Sequence, residues 1–562
     1  METWFVIVVS LCVAALIRST LFRRSAGKSL PPGPSYLSSN LLLLTNSRLN
    51  LEPILRNLKS KYGPLITFSI GFRPSIFVAD HSLAHHILIQ NGAVFSDRPR
   101  TFAQRNISSA SYGPTWRLLR RNLASEVLHP SRVKSYSWAR KWILRILIDR
   151  LYQERNPAEA AAGIKVVDHF QFAMFSLLVL MCFGEKLGEQ EINEIARVQR
   201  DMLLIVGSGR FTVLTMFPKL GKILFRNRWK QFQQLLEDKE QVLIPLIRSR
   251  IEAPNSDPQI VAYVDTLINL HLPEVEATAG NGGKLTDKEM VSMCSEFLNA
   301  GTDTTSTALQ WIMANLVKHP DIQSKLYDEI VTVVGPPPPP AATEEPESVI
   351  NEDDLQKMPF LKAVVLEGLR RHPPAHFVLP HRVVKEVEVE GYKIPEGATI
   401  NFFVADMGWD PKVWDDPMEF KPERFMMNDD GDVINGGFDV SGSKGIKMMP
   451  FGAGRRICPG SDLALLHLEY FVANLIWFFR WTADDGYGVD LSEKVEFTVV
   501  MKNPLHARIF PRAEKGRDPP FKLSNHFGLK HLVERQKNGF NHQISNSFSG
   551  QFPDPDTDTD AR

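Results

Sequence analysis

The 562-residue sequence predicts a mainly α-helical protein with small β-sheets, preceded by a single N-terminal transmembrane helix. Between about residues 50 and 335, apolar residues recur at spacings of three and four, as in 170–182 and 232–244, and this is the periodicity of helices with a buried face. Strand-like runs are short and occur at 66–70, 75–78, 387–390 and 399–404. A mainly α domain with small sheets follows from these patterns.

Charge and cysteine content exclude several classes of protein. The chain has 65 basic and 64 acidic residues, so it lacks the basic excess of a nucleic-acid-binding protein, and we expect no nucleic-acid partner. Its cysteines, Cys12, Cys182, Cys294 and Cys458, lie too far apart for a disulfide framework or for a zinc site with close ligand pairs. We therefore expect the catalytic part in a reducing compartment.

The N-terminus predicts a membrane anchor. Residues 4–22 are almost wholly apolar if Arg18 extends its charge to the interface, and this length suits a membrane-spanning helix. A cleaved secretory peptide is the alternative, but its positive charge would precede the apolar run, whereas Arg23 and Lys28 follow it. By the positive-inside rule, the chain after the anchor faces the cytosol. We assign the anchor to residues 1–28.

The remaining chain divides by composition. Residues 29–35 form a proline-rich hinge, because consecutive prolines make a stiff, non-helical spacer. Residues 36–512 are expected to form the catalytic domain. Within this domain, 336–347 opens with five prolines and carries three glutamates, which predicts a surface loop. The polar, charged composition of 513–562 predicts a disordered tail.

The strongest chemical signal is the segment 451–460, Phe-Gly-Ala-Gly-Arg-Arg-Ile-Cys-Pro-Gly. Pro459 suits the first turn of a helix, and the apolar periodicity of 462–479 continues that helix. Cys458 is therefore expected at the amino end of a helix, where backbone N–H groups and the helix dipole favour a thiolate.

Other residues of this segment suit a flat ligand. The two glycines permit a tight backbone path, and Arg456 is placed to meet a carboxylate near the sulfur. An inert buried thiol is the alternative for Cys458, and it is the expectation for the other three cysteines, which have no nearby ligand or base. The segment resembles the haem-binding loop of the cytochrome P-450 family. The resemblance implies haem b as cofactor, with Cys458 as the axial ligand of its iron.

A second motif, Ala-Gly-Thr-Asp-Thr-Thr at 300–305, lies inside a predicted helix over 286–316 that opens with a Thr-Glu capping box. Gly301 weakens this helix, and a threonine hydroxyl can bond the carbonyl four residues back and bend it, which would make room for a small molecule. A bent, threonine-rich helix without catalytic meaning is the alternative. The motif resembles the family's oxygen-activation segment. The resemblance implies that Thr304 orders the bound oxygen and that Asp303 relays protons.

Two charged residues, Glu367 and Arg370, lie three apart on one face of another predicted helix. Their neighbours are so apolar that the pair is expected to be buried and to need further partners. Residues 422–425, Pro-Glu-Arg-Phe, resemble the family's companion motif. The resemblance implies a structural network of Glu367, Arg370 and Arg424 that holds the core around the cysteine loop.

Trp116 and Arg120 lie four apart on a further predicted helix, so an indole N–H and a guanidinium reach the same side. Together these donors suit a carboxylate. A plain amphipathic helix with a basic face is the alternative. The resemblance implies that Trp116, Arg120 and Arg456, with Arg382 as a fourth, hold the haem propionates.

The resemblance covers about residues 30–512 and is strongest to plant microsomal members that oxidise fatty acids within the chain. It implies a monooxygenase of the endoplasmic reticulum membrane that inserts one oxygen atom from O2 into an apolar substrate. A fatty acid, hydroxylated or epoxidised, is the expected substrate, and a terpenoid or phenylpropanoid is the alternative. Electrons would come from NADPH through a separate reductase, because no dinucleotide or flavin fingerprint occurs in the chain.

The resemblance also places the substrate lining, with Arg105 and His376 as candidate polar contacts. The lining segments are 101–115, 297–305, 375–379 and 499–501. A reductase-independent haem-thiolate isomerase and a haem protein that only binds a ligand are the rival functions. Neither needs the Asp303–Thr304 pair, and NADPH consumption with added reductase separates both from a monooxygenase.

Overall fold

The computed structural model of the chain describes Ala14 and residues 30–45, 51–70, 73–99, 106–154, 163–207, 223, 225–253, 261–273, 283–338, 349–426, 438–484 and 488–512. These residues belong to the larger of two compact units, and the smaller unit, 339–347 and 514–562, lies outside them. The predicted anchor, apart from Ala14, most of the predicted proline-rich loop and the predicted tail also lie outside the described residues.

Helices make up most of the described chain, as the periodicity predicts. The α-helices are Tyr36–Thr45, Leu51–Tyr62, His81–His85, Pro114–Asn122, Pro130–Ser135, Ser137–Glu154, Val166–Phe183, Glu189–Gly207, Arg226–Glu252, Tyr263–Ile268, Asp287–Lys318, Pro320–Val334, Pro359–Arg371, Val404–Gly408 and Ser461–Phe478. Two of them continue into a π-helical turn, at His86–Gln90 and Leu123–Val127. Short 3-10 helices cover Glu352–Lys357, Pro422–Phe425 and Gly454–Arg456.

The strands are short. They are β1 Leu65–Ile70, β2 Arg73–Val78, β3 Ile164–Lys165, β4 His381–Arg382, β5 Val387–Val389, β6 Tyr392–Ile394, β7 Thr399–Phe402, β8 Phe479–Ala483, β9 Glu493–Val495, β10 Val499–Met501 and β11 His506–Pro511. The four strand-like runs of the sequence correspond to β1, β2, β5 and β7. β8 was not predicted, because it follows an apolar helix directly, with no glycine or proline to mark the boundary.

Four strands form the largest sheet, in the order β1-β2-β7-β4. β1 and β2 are an antiparallel hairpin, β2 and β7 are parallel, with Ser75 opposite Thr399, and β4 is antiparallel to β7. A second sheet has the order β3-β11-β8 and is antiparallel throughout. The pairs β5-β6 and β9-β10 are separate hairpins. The mainly α architecture with small sheets is therefore confirmed.

Asp287–Lys318, which we call the central helix, runs through the main core. The predicted capping box begins it: the N–H of Glu289 donates to Thr286 Oγ1 (3.3 Å) and the N–H of Thr286 donates to Glu289 Oε2 (2.9 Å). Every residue from 305 to 317 is buried, whichever way its side chain points. The central helix is thus surrounded by protein along its C-terminal half.

Gly301 lets the central helix approach its neighbour Val166–Phe183. A Cβ on Gly301 would lie 2.6 Å from Cδ1 of Leu178, closer than side chains pack, so a larger residue would require the Leu178 side chain to shift. This glycine therefore serves helix packing. Among the described residues, Val166–Phe183 is the one helix with the length and apolar composition of a membrane span, and most of it is buried in the core.

Candidate active site

Cys458 lies in the turn just before the helix Ser461–Phe478, where the sequence predicts it. Its N–H donates to the carbonyl of Phe451 (2.9 Å), and its sulfur accepts from the N–H of Gly460. The backbone path needs glycine at 454, because φ is +72° and a Cβ there would collide with the carbonyl oxygen of Leu88. The turn thus presents a thiol next to a helix amino end.

The surroundings of the thiol act in opposite directions. Burial raises the pKa of Cys458 above its ordinary value, whereas the N–H of Gly460 and the positive charge of Arg120 lower it. Burial also lowers the pKa of Arg120, and the charge of the Cys458 thiolate raises it. Arg120 has no hydrogen bond or ion pair to another residue of the described ranges. A cation bound at the sulfur would favour the thiolate further.

One side of the central helix is open. Glu296, Ala300 and Thr304 follow each other at one-turn spacing, so they lie on the same side of the helix. Ala300 is exposed and the other two are partly exposed, although the next thirteen residues, 305–317, are all buried. Thr304 Oγ1 donates to the carbonyl of Ala300 (2.6 Å), the bond that the sequence analysis expects of this threonine.

Asp303 points to a different side of the central helix from Thr304. Its Oδ1 accepts from Arg200 Nη1 (2.9 Å) and its Oδ2 accepts from Thr498 Oγ1 (2.7 Å), so a buried carboxylate is fully paired. Arg200 also lies 3.4 Å from Glu496 Oε2. Because Arg200 is partly exposed while Asp303 is buried, this ion pair connects the central helix with the protein surface.

A cavity of about 170 Å³ lies beside this ion pair, between the central helix and the helices Val166–Phe183 and Glu189–Gly207. Asp303 and Arg200 line it, together with Gln199 and Thr302. Two buried atoms at this cavity, Gln199 Nε2 and Thr302 Oγ1, have no hydrogen-bond partner among the described residues. Buried polar atoms without a protein partner are typical water sites, so the cavity suits water molecules next to Asp303.

Trp116 and Arg456 meet at one carbonyl. Trp116 Nε1 and Arg456 Nη1 both donate to the oxygen of Ile107, each at 3.1 Å. The Arg456 guanidinium carbon lies 4.3 Å from the centroid of the Trp116 ring, and the same guanidinium donates to the carbonyls of Ser96 (2.8 Å) and Ala110 (2.7 Å). The structure therefore brings together these two sequence-predicted residues, which are 340 positions apart.

Arg382, the fourth predicted propionate ligand, lies on β4 and pairs with Asp97: Nη1 donates to Oδ2 at 2.9 Å. Its Nε is buried and has no partner among the described residues. One donor of Arg382 is thus engaged by protein and another is left for a ligand.

The predicted structural network is compact. Arg370 donates to Glu367 through two bonds, Nε to Oε2 (2.7 Å) and Nη2 to Oε1 (2.8 Å), and neither side chain is exposed. Arg424 Nε lies 3.4 Å from Glu367 Oε1, and the N–H of Lys421 donates to the same oxygen (2.8 Å). Arg370 also donates to the carbonyls of Gly408, Pro417 and Glu419. The three predicted residues therefore join one helix to the loop that follows β7.

A family model described as Cytochrome P450 matches residues 30–509, and the motifs described above all fall within this range. The chain belongs to the cytochrome P450 family.

Relatives and solved structures agree with this assignment. The chain is 47% identical over 520 residues to "Cytochrome P450 89A9" of Arabidopsis thaliana, covering 90% of this chain and 98% of the relative. It is 29% identical to "Beta-amyrin 24-hydroxylase" of Glycine max (91% and 96% covered) and 28% identical to "Flavonoid 3'-monooxygenase" of Arabidopsis thaliana (87% and 94% covered). A solved zebra fish cytochrome P450 with progesterone matches with a TM-score of 0.67 at 22% identity, covering 82% of this chain and 100% of that chain, and shows the same fold. The P450 is a monooxygenase.

The described residues of this P450 fit a haem. Haem offers a metal for the Cys458 thiol and two carboxylates for cationic donors. Arg120 lies close to the thiol and has no carboxylate partner among the described residues, and Nε of Arg382 is a buried donor of the same kind. The open side of the central helix at Ala300 leaves room for a flat group.

Arg105 and His376 are the two residues predicted to be polar contacts for the substrate. Arg105 lies outside the described residues. His376 is buried between two carboxylates, with Nδ1 2.6 Å from Glu52 Oε2 and Nε2 3.3 Å from Glu493 Oε2. Nδ1 is thus bonded to Glu52, whereas Nε2 lies near Glu493 without a hydrogen-bond partner among the described residues. A role of His376 as a polar contact for substrate stays a prediction.

Four residues around the site were not predicted: Arg200 and Thr498, which bond to Asp303, and Glu296 and Arg98, which bond to the backbone of 107–108. Each of them meets the site through a contact between distant segments, and such contacts leave no local pattern. Glu296 gave the one available signal, a lone carboxylate inside an apolar stretch of helix.

Proposed function

We propose that this P450 is anchored in the endoplasmic reticulum membrane by residues 1–28 and carries a cytosolic catalytic domain over 36–512, after a hinge at 29–35. In this proposal it takes electrons from NADPH through a separate NADPH-cytochrome reductase and inserts one atom of O2 into an apolar substrate. The observation that carries the proposal is the thiol of Cys458 at a helix amino end, close to Arg120 and within a family match that spans the domain.

Haem b bound through the Cys458 thiolate would supply the oxidising chemistry. Trp116, Arg120, Arg382 and Arg456 would hold its propionates. In support, Arg120 and Arg382 retain free donors within the described ranges, and Arg456 stacks on Trp116 next to the cysteine turn. Glu367, Arg370 and Arg424 would keep the core around this turn rigid, because a fully paired buried network specifies one arrangement.

Protons are the second requirement, since insertion of one oxygen atom and release of the other as water consumes two protons and two electrons. Asp303 would take protons from water in the adjacent cavity, and the Thr304 hydroxyl would pass them on from the open side of the central helix. The cavity and its unpartnered polar atoms support this role. For Asp303 to release a proton, Arg200 would have to turn away, and Glu496 offers it a second carboxylate.

The substrate class is inferred from the candidate lining residues and from the names of the relatives. The described parts of the candidate lining contain apolar side chains such as Phe297, Val499 and Met501. Relatives named beta-amyrin 24-hydroxylase, flavonoid 3'-monooxygenase and geraniol 8-hydroxylase support an apolar substrate. We therefore propose an uncharged terpenoid or phenylpropanoid substrate, and keep a fatty acid as the alternative.

The test uses the full-length enzyme in microsomes with geraniol, naringenin and linoleic acid. We expect a neutral compound to shift the haem absorption spectrum and to yield a product whose new oxygen comes from ¹⁸O2, dependent on NADPH and reductase. A spectral shift with linoleic acid alone would restore the fatty-acid interpretation. Turnover that needs no NADPH would replace the monooxygenase proposal by the isomerase.

A further inference from the structure

Residues 106–110 form a turn whose peptide groups are held by side chains from distant parts of the chain. The N–H of Ile107 donates to Glu296 Oε2 (2.8 Å), and the N–H of Ser108 donates to Glu296 Oε1 (2.7 Å). Two N–H donors of this turn are therefore taken by one carboxylate of the central helix. A charged acceptor shared by two N–H groups is stronger than two neutral bonds.

The carbonyls of the same turn are held from the other side. Ser108 O accepts from Arg98 Nε (2.9 Å), and the same guanidinium donates to the carbonyls of Leu379 (2.7 Å) and Pro380 (2.9 Å). The backbone of Ser108 is thus held by a carboxylate through its N–H and by a guanidinium through its carbonyl. Ile107 O in turn accepts from Trp116 and Arg456, as described above.

The position of Glu296 connects this turn with the open side of the central helix. Glu296 lies one helical turn before Ala300 and two before Thr304, on the same side. Its two bonds therefore place the turn 106–110 at the N-terminal end of the open side. Glu296 reaches the cysteine turn through a single residue, because Ile107 links it to Arg456, two positions before Cys458.

We infer that Glu296 is a positioning residue whose carboxylate fixes the turn 106–110 as the outer wall of the substrate cavity. Through the Ile107 carbonyl the turn also contacts Trp116 and Arg456, but Arg456 keeps its bond to the Ser96 carbonyl (2.8 Å) independently of the turn. The role in substrate binding rests on the proposed haem monooxygenase function, whereas the fixing of the turn does not. Loss of the carboxylate should therefore loosen the wall and relax binding of ligands that extend to it, and leave the cysteine turn intact.

The chain contains a matched control. Glu329 makes the same pair of bonds elsewhere: its Oε1 accepts from the N–H of Phe360 and its Oε2 from the N–H of Leu361, both at 2.8 Å. These bonds hold the amino end of the helix Pro359–Arg371 and involve no residue of the open side. Glu329→Gln therefore removes an equivalent carboxylate without touching the turn 106–110.

The first measurement is amide hydrogen exchange on the full-length protein. Ile107 and Ser108 lie outside helices and strands, yet we expect their amides to be protected. In Glu296→Gln their exchange should rise about tenfold or more, since an amide side chain offers one acceptor where the carboxylate offers two. Glu329→Gln should raise exchange at 360 and 361 only. Exchange of the parent 107 and 108 amides at the rate of an open loop would overturn the inference without any variant.

The second measurement uses azoles as probes, because an imidazole nitrogen binds haem iron whatever the natural substrate is. We compare 1-methylimidazole, which occupies the space next to the iron, with 1-dodecylimidazole, whose chain extends to the wall. In Glu296→Gln we expect about five- to tenfold weaker binding of the long azole and unchanged binding of the short one, corresponding to the loss of about one hydrogen bond. Glu329→Gln should bind both as the parent does.

The outcomes separate the inference from the function on which it rests. A parent protein that gives no spectral response to either azole contradicts the haem function, while the exchange result still stands. Equal weakening of both azoles in Glu296→Gln, or weakening of the long azole without faster exchange at 107 and 108, would show that Glu296 does not act through the turn.

Discussion

Thr304 and Ser306 make the same kind of bond to the central helix but have different surroundings. Thr304 Oγ1 donates to the carbonyl of Ala300 (2.6 Å), and Ser306 Oγ donates to that of Thr302 (2.9 Å). Ser306 is fully buried, whereas Thr304 is partly exposed on the open side of the helix. If the hydroxyl only bends the helix, its removal should have the same effect at both positions. A comparison of the two variants therefore distinguishes a structural role of Thr304 from a role in proton transfer.

We predict that Thr304→Ala still binds haem and substrate and still accepts electrons, but forms product at least about tenfold more slowly, the scale of a lost proton donor. The electrons should appear as hydrogen peroxide, because O2 reduced without an ordered proton supply takes up two protons and leaves. Peroxide formed per NADPH is the quantity to measure. Ser306→Ala should form as little peroxide per NADPH as the parent protein. An equal rise in peroxide in both variants would mean that the Thr304 hydroxyl only shapes the helix.

The individual residues show what sequence can and cannot reveal. The positions of Cys458 and Thr304 were predictable, because a helix amino end and a bond to the carbonyl four residues back are local features. The partners of Asp303 were not, since Arg200 and Thr498 lie 103 and 195 positions away and reach it only in the folded chain. The two carboxylates beside His376 were not predictable for the same reason, because they come from separate segments.

At the scale of elements, the helix Pro359–Arg371 depends on a buried ion pair. Glu367 and Arg370 are both unexposed, so each needs the other's charge, whereas Arg424 is 11% exposed and 3.4 Å from Glu367. Removing one member of a buried pair leaves the other without compensation, which costs much more than losing a peripheral partner.

We therefore predict that Arg370→Met lowers the free energy of unfolding by about 3–5 kcal/mol and leaves little folded, haem-loaded protein. Arg424→Met should cost about 1–2 kcal/mol, from its hydrogen bonds to Glu367 and to the carbonyls of Asp415 and Asp416. Thermal unfolding and haem content of both variants, prepared in parallel, provide the comparison. Equal losses would mean that the three side chains act as one inseparable unit.

Long helices were predictable from periodicity, and short strands were not. The predicted helix at 286–316 is observed as Asp287–Lys318, because its capping box and apolar spacing are local. β3 has two residues and β9 has three, too few to show an alternating pattern. These strands form through pairing with distant partners such as β11 and β10, which decides their structure from outside the segment.

At the scale of the whole molecule, the proposed anchor and the catalytic domain are separate by sequence. The hinge at 29–35 carries consecutive prolines, which favour an extended spacer rather than a packed contact. All the site residues discussed above lie between Glu52 and Met501. Membrane attachment and cofactor binding should therefore be separable.

We predict that deletion of residues 1–28 leaves the haem spectrum unchanged and moves the protein from the microsomal to the soluble or loosely bound fraction. Deletion of 513–562 is the matched control, and it should change neither property. Fractionation together with absorption spectra tests both deletions. Loss of haem from a well-expressed protein without residues 1–28 would contradict the division into anchor and domain.

The central claim is that the Cys458 thiolate holds a haem iron, and the carbon monoxide spectrum of the reduced full-length protein tests it most directly. Cys294→Ala is the control, because Cys294 is a fully buried thiol on the central helix with no proposed ligand role. We expect the parent and Cys294→Ala to show the red-shifted Soret band of a thiolate-bound haem, and Cys458→Ala to lose it. A Cys458→Ala protein that keeps the red-shifted band would contradict the assignment.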